Sequence, residues 1–403
     1  MNMKPIDRID ATALSAETFA IDYFRGNRPL VINGGASHWR AMERWSRPYF
    51  ESRLGERMVP IDYSQDGFLT YTADDQDRNA SREDVPFLRA AAEIHDPTGD
   101  RRCYLRNVSL PDLCPELLED IEVPALVGDP SKITMNHYWY GAPGCTTSLH
   151  QDWPSNFLAQ VIGRKRVVLF DPDERGFLYP AGQDPPKPGA TIDLREHSLV
   201  NPEQPDHKRF PLFRQATPFV AILQPGDILW LPPEWWHQIR ALDVSVSVNF
   251  WWQPHIEQFL FSPRRISKLP VLYDTGFAQT FLTTAMDHRE LDGTLGVAEH
   301  SLALGCPWVA VLLGAVAVET GLRGRLEQYG VGEAAGRGDL RAPALNAELA
   351  AVAVDDCVDA ATMAQWSQLI EQAKAMGDTR PTATHAAGML RTIRAFLARP
   401  RTA

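Results

Sequence analysis

The chain has little cysteine and no spacing that would give it an obvious use. Cys103, Cys114, Cys145, Cys306 and Cys357 are odd in number and no two stand as CxxC, which argues for free thiols and a reducing, cytoplasmic setting over a disulfide scaffold. A basic surplus is missing as well. With 40 Lys and Arg against 51 Asp and Glu, the formal charge is −11, opposite in sign to what displaces counterions from phosphates, so no nucleic-acid partner is expected. Nor is there a long apolar run. The most apolar stretch, Leu302 to Val318, is broken by Gly305 and Pro307, and the remainder from Trp308 is shorter than the roughly 20 residues a membrane helix needs. No membrane partner is expected, and the opening MNMKPIDRID carries no apolar core of a signal peptide.

What is present describes an ordinary globular chain. Hydrophobic residues at 44% and charged residues at 23% suffice for a packed core, and 403 residues suggest two structural units. Ala16 to Phe24 has helical spacing, RGNRPLVINGG holds a short strand, and Trp39, Trp45, Tyr49 and Phe50 mark a second helical region covering one side of a sheet. Met58 to Tyr71 reads as paired strands broken at Gln65-Asp66-Gly67, and Thr72 to Asp84 as a polar surface loop. Arg102 to Val108, Ile133 to Tyr140, Phe157 to Val161, Lys165 to Phe170, Phe219 to Leu223 and Ile228 to Leu231 are strand-like, with Ile162-Gly163-Arg164 reading as a hairpin turn.

Several short strands with intervening turns predict an antiparallel barrel or sandwich over about residues 100–252. Asp171 to Pro218, rich in Pro and charge, is long enough to be a lid or binding loop. The Ala, Leu, Glu and Arg-rich tail predicts a helical domain over 255–403, with Trp308 to Val318 as a buried core helix or a subunit interface.

Chemistry concentrates between Thr147 and Lys165. His150 and Asp152 stand two residues apart, so on a strand both side chains leave one face and can reach one ion. His237, following GDILWLPPEWW where a strand resumes after Pro232-Pro233, is the candidate third ligand. Two His and one carboxylate form the facial set of non-haem Fe(II) sites, although HxD alone is a weak signal and more often a satisfied surface pair. Lys165 shares a face with the apolar Val167 and Leu169, so an anion should meet its ammonium unless it snorkels to the strand end. From Leu242 to Trp251 apolar and polar residues alternate, which puts Ser245, Ser247 and Asn249 either inside a barrel, beside a polar ligand, or in solvent.

On these residues the chain resembles the JmjC-type, cupin-fold oxygenases that use Fe(II) and 2-oxoglutarate, nearest to the branch of the hypoxia-inducible-factor asparaginyl hydroxylase and its bacterial cupin-like relatives. The similarity runs over about residues 20–252 and is densest from Tyr140 to Trp251, with LYP at Leu178 to Pro180 and RFP at Arg209 to Pro211. It implies a mainly β fold: a double-stranded β-helix core with N-terminal α/β elements in residues 1–254, followed by C-terminal helices through which the chain would form a homodimer. Carried over by position, it makes His150, Asp152 and His237 the iron ligands, with Thr147, Lys165 and Tyr104 on the distal carboxylate of 2-oxoglutarate and Asn156 and Asn249 beside its metal-bound end. The implied activity is hydroxylation of a protein or peptide side chain with release of succinate and carbon dioxide. Hydroxylation of a small molecule, or a catalytically idle cupin that binds a ligand, are the other readings.

Overall fold

Alternation along residues 245–252 sets the architecture, because a strand whose two faces are both buried must lie between two layers. Val246, Val248, Phe250 and Trp252 pack into the largest apolar cluster, while Ser247 and Asn249 on the other face are equally buried. The computed structural model describes residues 3–69, 80–97, 101–182, 194–252, 293–303, 306–331, 341–352, 357–375 and 381–399. Within these the strands are β1 (Lys4–Pro5), β2 (Asp7–Asp10), β3 (Leu30–Asn33), β4 (Met58–Ser64), β5 (Phe68–Leu69), β6 (Ala80–Pro86), β7 (Arg102–Ser109), β8 (Ile133–Gly141), β9 (Thr146–Gln151), β10 (Ser155–Ile162), β11 (Lys165–Phe170), β12 (Phe219–Leu223), β13 (Ile228–Leu231), β14 (Trp236–Ala241) and β15 (Ser245–Trp252).

They form two sheets. One is six-stranded in the order β1-β12-β11-β14-β9-β5, and the other nine-stranded in the order β2-β3-β13-β10-β15-β8-β7-β4-β6. From β8 onward the chain passes from sheet to sheet at nearly every turn, the winding of a double-stranded β-helix. The mainly β fold with N-terminal α/β elements is therefore as expected.

This winding corrects two pairings. β10 pairs with β13 and β15, whereas β11 pairs with β12 and β14, so Ile162-Gly163-Arg164 crosses between sheets and is no hairpin. β4 and β5 likewise lie in different sheets. Turn residues specify a reversal of direction; non-local burial decides which strand lies alongside. Part of the expected polar loop is also strand, since Ala80 to Pro86 pairs along all of β4 as the edge of its sheet, where charged side chains are tolerated. Residues 72–79, the rest of that segment, lie outside the described residues, as do residues 70 and 71 at the end of the expected strand pair.

Three apolar layers hold the sheets. Phe19 and Tyr23, on a π-helical turn, join Trp39, Trp45 and Phe50 against the outer face of the nine-stranded sheet. Leu158, Val167, Leu169, Leu229 and Leu231 fill the space between the sheets. Phe210, Phe213, Leu178 and Val200 cover the outer face of the six-stranded sheet. The described part of the segment from Asp171 to Pro218 is thus largely a packed cover and not a free lid, because its aromatics are buried against Val168, Phe170 and Trp236.

Residues Met1–Gln253 form one compact unit and Pro254–Ala403 another. In the second, helix Pro307–Gln328 is wrapped by Gly293–Ala303, Ala342–Val352, Ala360–Lys374 and Ala383–Leu397, with Trp308 to Val318 buried throughout. That stretch is a core helix. Among the described residues no helix is long and apolar enough to cross a membrane.

Candidate active site

Between the sheets lies a cavity of about 320 Å³ whose lining includes Tyr104, Thr147, His150, Asp152, Asn156, Lys165, His237 and Asn249. All eight residues singled out from the sequence meet in one space. Strand pairing explains how. His237 on β14 stands directly opposite His150 on β9, and Asp152 follows at the strand end. The backbone oxygen of Asp152 accepts from Glu234 N–H at 2.8 Å, tying the carboxylate's residue to the turn that delivers His237.

The three side chains converge. His150 Nε2 lies 3.7 Å from Asp152 Oδ1 and His237 Nε2 lies 3.6 Å from Oδ2, and one ligand atom from each residue falls within 4.8 Å of the others. Each imidazole has its Nδ1 on a main-chain carbonyl, His150 on Ser148 at 2.7 Å and His237 on Trp235 at 3.0 Å. A carbonyl only accepts, so these bonds place a proton on Nδ1 and direct Nε2 at Asp152. Burial, with His150 alongside, pushes the His237 imidazole down to about 4, which keeps it neutral at pH 7. Two imidazole Nε2 atoms and a carboxylate then face one another. Such an arrangement suits a divalent cation, and the pinned Nδ1 atoms are the usual support of metal-binding histidines.

The other end of the cavity is built for negative charge. Lys165 is fully buried beside Val167 and Leu169, and its Nζ donates to Ser247 Oγ at 2.6 Å and Tyr104 Oη at 3.3 Å. Burial pushes the ammonium down to about 7. Among the described residues no carboxylate pairs with it, and Thr147 lines the same space. Between the two ends, Asn249 Nδ2 donates to Asn156 Oδ1 at 2.7 Å across β10 and β15. The polar face of β15 is therefore interior.

Thr147 reaches this cavity by an irregularity. On β14, His237 and Ile239 are two apart; their partners on β9, His150 and Thr147, are three apart, so β9 carries a bulge. Without it these two side chains would leave opposite faces.

Other lining residues were not found from the sequence. Trp139 and Trp251 stand 6.4 Å apart on one side, near Asn107, whose φ of 57° sits where β7 bulges against β8. On the other side are Glu196 and His197. The His197 ring stacks on His150 at 5.6 Å, and Ser198 N–H donates to Leu149 O at 2.8 Å. A positive φ is invisible before the fold is known, and Glu196 and His197 lie in a segment without periodicity.

Residues 15–258 match the family described as a cupin-like domain. The chain belongs to that family. Among similar proteins, lysine-specific demethylase 8 of Xenopus tropicalis is 35% identical over 242 residues, 59% of this chain and 51% of that one. The Danio rerio protein of the same name is 34% identical over 256 residues, covering 62% and 58%. The human bifunctional peptidase and (3S)-lysyl hydroxylase JMJD7 is 28% identical over 256 residues, covering 58% and 80%. The cupin-like chain spans little more than half the length of the first two. None of these three is the asparaginyl hydroxylase, and a special closeness to it is not shown.

Proposed function

We propose that the protein is an Fe(II)- and 2-oxoglutarate-dependent hydroxylase acting on a side chain of a protein or peptide. One observation carries this reading: the cavity sets three converging metal-ligand atoms at one end and, at the other, a buried ammonium that has no carboxylate partner among the described residues. A dicarboxylic 2-oxo acid matches both ends, since its keto and near carboxylate oxygens suit the metal and its far carboxylate suits Lys165. When bound, the metal and cosubstrate supply oxidative decarboxylation by dioxygen, giving succinate and carbon dioxide and placing one oxygen atom in a C–H bond.

In this reading His150, Asp152 and His237 hold the metal, Lys165, Thr147 and Tyr104 hold the distal carboxylate, and Asn156 and Asn249 fix its metal-proximal end. Trp139, Trp251, Glu196 and His197 line the same cavity and are left for the substrate in this reading. Aromatic faces and a carboxylate suit a basic side chain, in keeping with the lysine-directed names of the relatives.

The test is succinate formation from 2-oxoglutarate by the full chain with Fe(II) and oxygen, read alongside a gain of one oxygen atom on Lys- and Arg-containing peptides by mass spectrometry. Peptide-stimulated succinate with the matching mass gain is expected. Absence of both 2-oxoglutarate binding and succinate release would overturn the reading in favour of a ligand-binding cupin.

A further inference from the structure

The tyrosine at the anion end owes its position to a residue with no side chain. Gly141 closes β8, buried, with Tyr104 of β7 as its partner on one side and Ser245 of β15 on the other. A Cβ built on Gly141 would lie 2.6 Å from Tyr104 Cδ2 and 2.9 Å from Cε2, closer than carbon atoms approach. Backbone geometry is not the reason for glycine here, because Gly141 is not among the residues with positive φ. Glycine inside a strand weakens it, and close approach of another group is the usual reason one stands there.

The ring so admitted is confined. Tyr104 is 3% exposed and lies 5.9 Å from the Trp139 ring, leaving it little room to withdraw. Among the described residues its hydroxyl is one of two acceptors for Lys165 Nζ, the other being Ser247.

We infer that Gly141 is a positioning residue for the anion end of the cavity: its missing side chain lets the Tyr104 ring lie across β8 and set its hydroxyl against Lys165. The inference rests on the reading of that end as the 2-oxoglutarate carboxylate site. Gly141 touches neither metal nor cosubstrate, and acts through Tyr104 alone.

Calorimetric titration of 2-oxoglutarate into the Mn(II)-loaded full chain tests it. Gly141→Ala should weaken 2-oxoglutarate binding about tenfold, the order expected when one hydrogen-bonding group at a charged site is displaced, while Mn(II) affinity is unchanged. With the ring removed by Tyr104→Ala, adding Gly141→Ala should change neither 2-oxoglutarate affinity nor melting temperature. Equal 2-oxoglutarate affinity in wild type and Gly141→Ala, or an undiminished effect of Gly141→Ala in the Tyr104→Ala background, would overturn the inference. Should Gly141→Ala not fold, the Tyr104→Ala pair decides by stability: a double variant that also fails to fold places the clash elsewhere. Lack of 2-oxoglutarate binding by wild type would remove the functional reading and this inference together, whereas wild-type binding with an unaffected Gly141→Ala removes the inference only.

Discussion

The two ends of the cavity are held together in different ways. At the metal end three side chains point their ligand atoms at one spot: the two imidazoles are fixed by Nδ1 bonds to the backbone at Ser148 and Trp235, and the main chain of Asp152 is tied to Glu234. At the anion end one charge, on β11, is surrounded by neutral hydroxyls drawn from β7, β9 and β15. An arrangement of converging acceptors should fail as a whole when one member is lost. A charge with auxiliary donors should fail by degrees.

The largest effect is therefore expected from Asp152→Ala or His150→Ala. Either should abolish Mn(II) binding, read by electron paramagnetic resonance, and drop succinate release to background. Retention of the metal by either variant would mean that the three residues do not act as one site.

Lys165→Met should act more selectively. Metal binding is kept, and the 2-oxoglutarate KM rises on the order of a hundredfold, as when a buried charge pair loses one partner. The same change should raise the melting temperature of the ligand-free protein, since an ammonium without an anion is costly to bury. The pH dependence has a definite sign. Lys165 sits near 7 when folded and near 10.5 when unfolded, so between these values the unfolded chain holds a proton that the folded one has shed. Folding thus becomes more favourable as pH rises through this window, and the penalty is complete only below about 7. The melting-temperature gap between Lys165→Met and wild type should narrow from pH 7 towards 10; a constant gap would mean that Lys165 does not titrate there.

The contrast also explains what could be read before the fold was known. His150 and Asp152 are legible because two-residue spacing is a property of any strand, and Lys165 because Val167 and Leu169 betray the burial of its face. The interior face of β15 follows from alternation in the same way. Thr147 does not, since the bulge that turns it beside His150 is fixed by the pairing of β9 with β14. Strand existence was mostly legible, and strand partnership was not: β10 and β11 adjoin in sequence yet belong to different sheets. Glu196 and His197 reach the cavity through a single antiparallel bridge at His150, and no local pattern announces one bridge.

The smallest effect should come from Tyr104→Phe. It removes one hydroxyl, leaves the ring that fits against Gly141, and keeps Lys165 bonded to Ser247 at 2.6 Å. Loss of one hydrogen bond at a charged group, partly covered by Ser247 and Thr147, predicts a roughly fivefold rise in the 2-oxoglutarate KM. The kcat at saturating cosubstrate should be unchanged, because the hydroxyl is placed at the far carboxylate and away from the reacting atoms. If Tyr104→Phe lowered kcat with KM unchanged, the hydroxyl would belong to the reacting end, and the division of the cavity into a metal end and an anion end would have to be redrawn around Trp139.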